Sequence, residues 1–169
     1  IMSKIYLEGV PEDLLKRAKA TMLNQEGRPL NVIDLDSDLE AILTYLREQG
    51  HYFAQIESAK PEEILTYKSN YTEAELHVVV SLEKKTVLED ILITGNLKTL
   101  PKVLLREIQM HQGDLLTPSK LEQVKDSITN LGLFSYVKVS PVVLNRDDDE
   151  EHYRANLLIQ LKEKDFGVM

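Results

Sequence analysis

Four histidines, His51, His77, His111 and His152, are the side chains best suited to moving a proton or holding a metal at neutral pH. They lie far apart, and none falls in a short ligand spacing such as H-E-x-x-H, so each reads as a solvated or internally satisfied residue. Asp34 to Asp38, DLDSD, has the opening of a calcium loop. Its sixth position would then be Leu39 where such a loop turns on glycine, and its twelfth Tyr45 where a bidentate glutamate belongs. Asp147 to Glu151, DDDEE, reads as a solvated hairpin tip, because like charges repel and resist packing. The absence of cysteine removes thiolate nucleophiles, Cys-ligated zinc and disulfides together. Neither a Gly-rich phosphate loop nor a G-x-S-x-G element occurs. The residue types point to binding, with no catalytic residues, no metal and no cofactor expected.

Composition narrows what is bound. At 169 residues, 43% hydrophobic and 28% charged, the chain has the makeup of one globular domain or two small ones. Its apolar runs are short, as in Val78 to Val80, against the roughly 20 residues needed to cross a bilayer as a helix. A net charge of −8 opposes the basic footprint that neutralises a phosphate backbone, so nucleic acid is not an expected partner. The N-terminus, IMSKIYLEGV, has no signal-peptide pattern and moves straight into strand-like alternation, as an excised piece of a longer protein would.

An internal repeat organises the chain. LREQGHYFAQIES (46–58) matches ITNLGLFSYVKVS (128–140), and KIYLEGV (4–10) matches DILITGN (90–96). NQEGRPL (24–30) matches MHQGDLL (110–116), and VVVSLEKK (78–85) matches LLIQLKEK (157–164), all in the same order. Two units are therefore expected, residues 1–84 and 85–166, joined without a flexible spacer. Both are acidic: nine Lys and Arg stand against fifteen Asp and Glu in residues 1–84, and eleven against thirteen in residues 85–169.

Each unit reads β-α-α-β-β. Leu39, Ile42, Leu43 and Leu46 form one helical stripe, and Leu121, Val124, Ile128 and Leu131 another. Thr117-Pro118 is a helix start, and Gly50 and Gly132 stand where a left-handed helix stop belongs. The shorter first helices are expected from Pro11 to about Leu23 and from Pro101 to about Met110, stopping before Gly27 and Gly113. The third strands, VVVSL and LLIQL, are the most continuously apolar and belong at the centre of their sheets. The second strands carry Pro61 and Pro141, and proline, having no N–H, belongs at an edge. The fold class expected is α+β: two three-stranded mixed sheets, third strand central, each covered on one face by two helices.

With Ile-x-Ile-x-Gly-Asn (Ile91 to Asn96), Gly113-Asp114, Leu-Gly-Leu-Phe (Leu131 to Phe134), Val137-x-Val139 and an apolar strand closing on Glu163, this tandem unit resembles the POTRA domain, the polypeptide-transport-associated module. The resemblance covers nearly the whole chain. It is weaker in the first repeat, where Val10 replaces the Asn, Arg28 replaces the Asp, and about four extra residues near 31–34 lengthen the loop between helices. Arrays of this kind precede the barrels of the outer-membrane assembly superfamily and of two-partner secretion transporters. The resemblance implies a periplasmic part of a bacterial outer-membrane protein. It also implies a C-terminal barrel beginning near residues 167–169 of LKEKDFGVM, unfolded outer-membrane or passenger polypeptides as clients, and accessory assembly proteins as partners. A cell-division scaffold is an alternative. An RNA-binding KH module shares the element order, but GRPL and GDLL lack the second glycine of its GXXG clamp.

The binding site expected is the exposed backbone of the second strands, Tyr52 to Glu57 and Ser135 to Ser140, which can accept an extended client by strand addition. Tyr52, Gln55, Glu57, Ser135, Tyr136, Lys138 and Ser140 are the residues flanking it. Pro61, Pro141 and Lys138 could equally protect those edges against pairing. Gly50, Phe53, Ile56, Gly95, Gly113, Gly132, Phe134 and Val137 are expected to be structural anchors, with Phe134 in a turn, its ring packed under the helix.

Overall fold

The structure, a computed structural model, describes residues 1–95, 98–147 and 150–165. The chain divides into two compact units, Ile1–Glu83 and Lys84–Met169. The expected barrel junction at 167–169 and the centre of the DDDEE tip lie outside the described residues.

In the first unit, buried Met2, Ile5 and Leu7 alternate with exposed Lys4, Tyr6 and Glu8 along β1 (Met2–Glu8). Helix α1 (Glu12–Ala20) carries Glu12 and Asp13 at its positive end and Arg17 and Lys19 at its negative end. It stops short of Leu23, because the Thr21 hydroxyl donates back to the Ala18 carbonyl while Met22 turns into the core. A 3-10 turn (Val32–Asp34) leads into α2 (Leu35–Glu48), whose Leu35, Leu39, Ile42, Leu43 and Leu46 are buried. The central strand β4 (Glu73–Ser81) runs parallel to β1, with Leu7 opposite Val78.

Here the second strand departs from expectation. Tyr52 and Phe53 lie in a turn, and β2 is only Gln55–Ile56. A single helical turn, α3 (Pro61–Ile64), follows, and then β3 (Leu65–Lys68); β2 and β3 both pair antiparallel with β4. Pro61 therefore opens a helical turn, where its missing N–H and fixed φ are no handicap, and does not sit in the strand. Ser58 Oγ, bonded to the Glu63 carboxylate and to the Lys60 N–H, holds that turn. The three-strand plan survives with its second position divided in two.

The second unit keeps the plan intact, in the order β5-β7-β6. Strand β5 (Thr86–Thr94) runs parallel to β7 (Tyr153–Glu163), and β6 (Phe134–Val143) runs antiparallel to it. Helix α4 (Pro101–Glu107) ends before Met110, since Ile108 adopts extended backbone to reach the core. Thr117 Oγ1 accepts the Lys120 N–H at 3.2 Å and starts α5 (Pro118–Thr129), which buries Leu121, Val124 and Ile128. In β7 every odd residue from Tyr153 to Leu161 is buried, so the helices cover one face only.

Phe134 is the first residue of β6, opposite Glu163, and is buried, contrary to its expected place in a turn. A bulge reconciles its parity with that of the valines. Phe134 faces Glu163 and Tyr136 faces Lys162, so Ser135 is an extra residue and Phe134 shares the covered side with half-buried Val137 and Val139.

The repeat holds at the level of single bonds. Met2 donates to Arg28 O and accepts from the Gly27 N–H, both at 2.7 Å; Leu88 donates to Asp114 O and accepts from the Gly113 N–H, both at 2.8 Å. Gly9 and Gly95 also match. Each has positive φ, and a Cβ there would fall on a central-strand carbonyl, that of Val80 or Leu161.

Candidate binding edges

Four strand edges border the two sheets, and they differ in how much backbone they leave unpaired. Strand β6 is a terminal strand, bonded on one side to β7 over Phe134 to Val143. The Leu144 N–H donates to Arg154 O at 2.8 Å. Antiparallel alternation then turns the N–H and C=O of Tyr136, Lys138, Ser140 and Val142 toward β7, and those of Val137, Val139 and Val143 outward. Pro141 falls in the outward set. Its ring removes one donor from the free row and none from the ladder.

The side chains expected to flank this edge are placed accordingly. Tyr136 is 52% exposed, Lys138 is exposed opposite Gln160, and Ser140 is half-buried opposite Leu158, all on the uncovered face. Ser135 sits in the bulge with its hydroxyl on Lys162 O at 3.4 Å. Among the described residues the outward donors belong to Val137, Val139 and Val143, of which the sequence singled out Val137 only as a structural anchor.

The corresponding edge of the first unit is interrupted. Gln55 lies opposite Ser81, and the Glu57 N–H donates to Val79 O at 3.0 Å, so both face the ladder and leave Ile56 as the outward donor of β2. Tyr52 is off the strand, its ring edge-on to Phe53 at 5.1 Å, and burial raises its phenol above the usual pKa. Ala54, fully buried with its carbonyl held by Arg47 Nε and Nη2, is the anchor that fixes this corner; Ile56 packs against the core beside it. The expected constellation is thus brought together in the second unit and dispersed in the first.

First-strand edges are partly closed by carboxylates. Glu26 Oε1 accepts the outward Ile5 N–H at 2.9 Å, and at the matching position Asp90 Oδ1 accepts the Ile91 N–H at 2.8 Å. That hydrogen bond is the main cause holding the Glu26 carboxyl below its usual range. Glu163, at the end of β7, accepts from the Thr99 N–H at 2.9 Å and the Lys98 N–H at 2.6 Å, and the Thr99 bond is the main cause that lowers its pKa. Among the described residues no three His, Asp or Glu side chains come together as a metal site, and no helix is long and apolar enough to cross a membrane.

Comparison with known proteins places this architecture. Residues 86–164 match the family model for POTRA, described as a surface antigen variable number repeat. The outer membrane protein assembly factor BamA of Nitratidesulfovibrio vulgaris is 26% identical over 177 aligned residues, covering 99% of this chain and 20% of the relative. BamA of Neorickettsia risticii is 29% identical over 148, covering 83% and 17%. The chain thus spans about a fifth of the length of these relatives. Among solved structures, BamA from Haemophilus ducreyi lacking POTRA domains 1–3 superposes with a TM-score of 0.77 at 18% identity, covering 99% of this chain and 30% of that one. POTRA3–5 of Haemophilus influenzae BamA gives 0.68 at 15% identity, covering 96% and 60%. The family match thus covers the second unit, two BamA relatives align along most of the sequence, and the solved BamA fragments share the fold of both units.

Proposed function

We propose that this pair is a periplasmic part of a bacterial outer-membrane protein that assembles or translocates other proteins, and that it holds unfolded client chains by strand addition at β6. The continuous outward row of β6, with donors at Val137 and Val139 and Tyr136 and Lys138 on the adjoining face, is the observation that carries this reading. A client in extended form can continue the sheet there, supplying main-chain acceptors and donors while its alternate side chains reach the uncovered face.

Magnitudes favour a transient hold. Four or five backbone hydrogen bonds at a net ~0.5 to 1.5 kcal/mol each are of the same order as the ~4 to 15 kcal/mol that association costs in lost freedom. One edge therefore binds weakly and releases its client. Several such units in series with a C-terminal barrel would retain a chain through effective concentration.

Titration of the chain with peptides copied from outer-membrane barrel strands tests this directly, with amide shifts as the readout. Val137 and Val139 should move; unchanged β6 amides at millimolar peptide would count against the reading. A second reading, docking of an accessory protein, is favoured by the apolar side chains on the uncovered face of the second sheet, where Leu92, Val142 and Leu144 are each 44–49% exposed.

A further inference from the structure

We infer that the loop joining α1 to α2 is a docking surface for an amphipathic helix of a partner protein, one whose apolar stripe is flanked by lysine or arginine. Leu23, Val32 and Ile33 form the apolar part of the surface, and Asp36 and Glu40 its charged part. It lies in the first unit and does not rest on strand addition at β6.

This loop is about four residues longer than its counterpart in the second unit, and the two treat their apolar side chains oppositely. Between α4 and α5, Met110 and Leu116 are buried. In the longer loop Leu23 is 68% exposed, Val32 44% and Ile33 89%. A single exposed apolar residue needs no explanation, but three on one short loop do. They are also drawn together. Asn24 Nδ2 donates to Asn31 O at 3.0 Å and Asn24 Oδ1 accepts the Asn31 N–H at 2.8 Å, which brings the segments bearing Leu23 and Val32 side by side.

The loop is fixed from within. Asn24 is 3% exposed and donates to the buried Asp38 carboxylate at 2.7 Å. Asn31 Oδ1 accepts the Ile33 N–H at 3.1 Å and starts the 3-10 turn that carries Val32 and Ile33. A buried polar network that holds an exposed apolar loop in one shape preorganises it, so a partner loses little by ordering it further.

Charge selects the partner. Ile33, Asp36 and Glu40 are all exposed and stand three and four residues apart along the turn and α2, so they share one side of it. Neither Asp36 nor Glu40 has an ion pair among the described residues. Arg28, the one basic residue between α1 and α2, is tied by its carbonyl to the Met2 N–H, at the β1 end of the loop. An apolar cluster that leads into carboxylates at helical spacing complements a helix with leucines on one stripe and lysines or arginines beside it. A lipid surface fits less well, because anionic headgroups repel Asp34, Asp36 and Glu40. A second copy of this chain would bring its own net charge of −8.

The test titrates the 169-residue chain with two peptide helices that share a leucine stripe at i, i+3, i+4 and i+7, one flanked by lysines and the other by glutamates, with amide shifts as the readout. The lysine-flanked peptide should move the Val32, Ile33 and Glu40 amides and leave Val137 and Val139 in place. Ile33→Ser should weaken that binding about tenfold, because an apolar contact is lost. Glu40→Lys should weaken it severalfold and strengthen binding of the glutamate-flanked peptide. Both positions face solvent, so thermal melts of the two variants should match the wild type. Equal affinity for the two peptides, or unchanged affinity in Ile33→Ser, overturns the site. Two further results overturn it if the lysine-flanked peptide does not bind. Ile33-dependent binding to phosphatidylethanolamine–phosphatidylglycerol vesicles would assign the loop to a lipid surface, and Ile33-dependent self-association in sedimentation velocity would assign it to a second copy.

Discussion

Asp38 shows how much of this architecture depends on one carboxylate. It is 1% exposed and accepts the Leu23 N–H at 2.6 Å, the Asn24 N–H at 3.1 Å and Asn24 Nδ2 at 2.7 Å, tying the loop after α1 to the first turn of α2. Asp38→Ala strands these donors, and chemical denaturation should register a loss of about 2–4 kcal/mol. The same residue closes the DLDSD stretch, and its carboxylate oxygens are turned to these inward donors. Glu163 makes a prediction in pH. Its carboxyl is held below the usual value mainly by the Thr99 N–H, so its stabilisation is present above the unfolded carboxyl pKa and is lost as pH falls through the lowered folded value. Thermal melts from about pH 7 to pH 3 should show a steeper acid loss in the wild type than in Glu163→Gln. Gly95→Ala places a methyl on the Leu161 carbonyl at positive φ and should cost roughly 2 kcal/mol or more, with a comparable loss for Gly9→Ala against Val80. That demand was visible beforehand only as a glycine recurring at the same place in both repeats.

At the scale of elements, the second strand separates the two units. In the second it is ten residues long and continuous, while in the first it is two short pieces around a helical turn. Both contain a proline, and the proline alone cannot tell the outcomes apart. Pro61 is followed by Glu62 and Glu63, acidic residues suited to the first turn of a helix; Pro141 is followed by two valines, which favour strand. The stripes of α2 and α5, the central third strands and the helix stop at Gly132 were legible because periodicity and cap chemistry are local. The bulge at Ser135 and the carboxylate caps on Ile5 and Ile91 were not, since each depends on the register between a strand and its neighbour. Pro141→Ala tests how the free row of β6 is controlled. Restoring one outward N–H should leave stability within about 0.5 kcal/mol of wild type, since no ladder bond changes. It should also increase peptide affinity or self-association, which sedimentation velocity reads out.

For the molecule as a whole, two acidic units with open or lightly closed edges fit the proposed scaffold, whose contacts would be made by backbone more than by side-chain recognition. The internal repeat conveyed the two-unit plan from the sequence alone, because matched strands, loops and helix stops recur in one order. Which edge stays open was beyond it, for an edge is defined by what fails to pair. Under the proposed backbone recognition one site would accept many sequences, because main-chain groups are common to all polypeptides and alternate side chains need only fit an apolar or solvated face. A single measurement separates this from side-chain docking. Two versions of one barrel-strand peptide, N-methylated either on the residues that would face β6 or on the alternate residues, keep the same side chains and differ only in which main-chain donors survive. Methylation on the facing residues should abolish the Val137 and Val139 shifts, while methylation on the others should leave them. Equal binding by both peptides would contradict strand addition at β6.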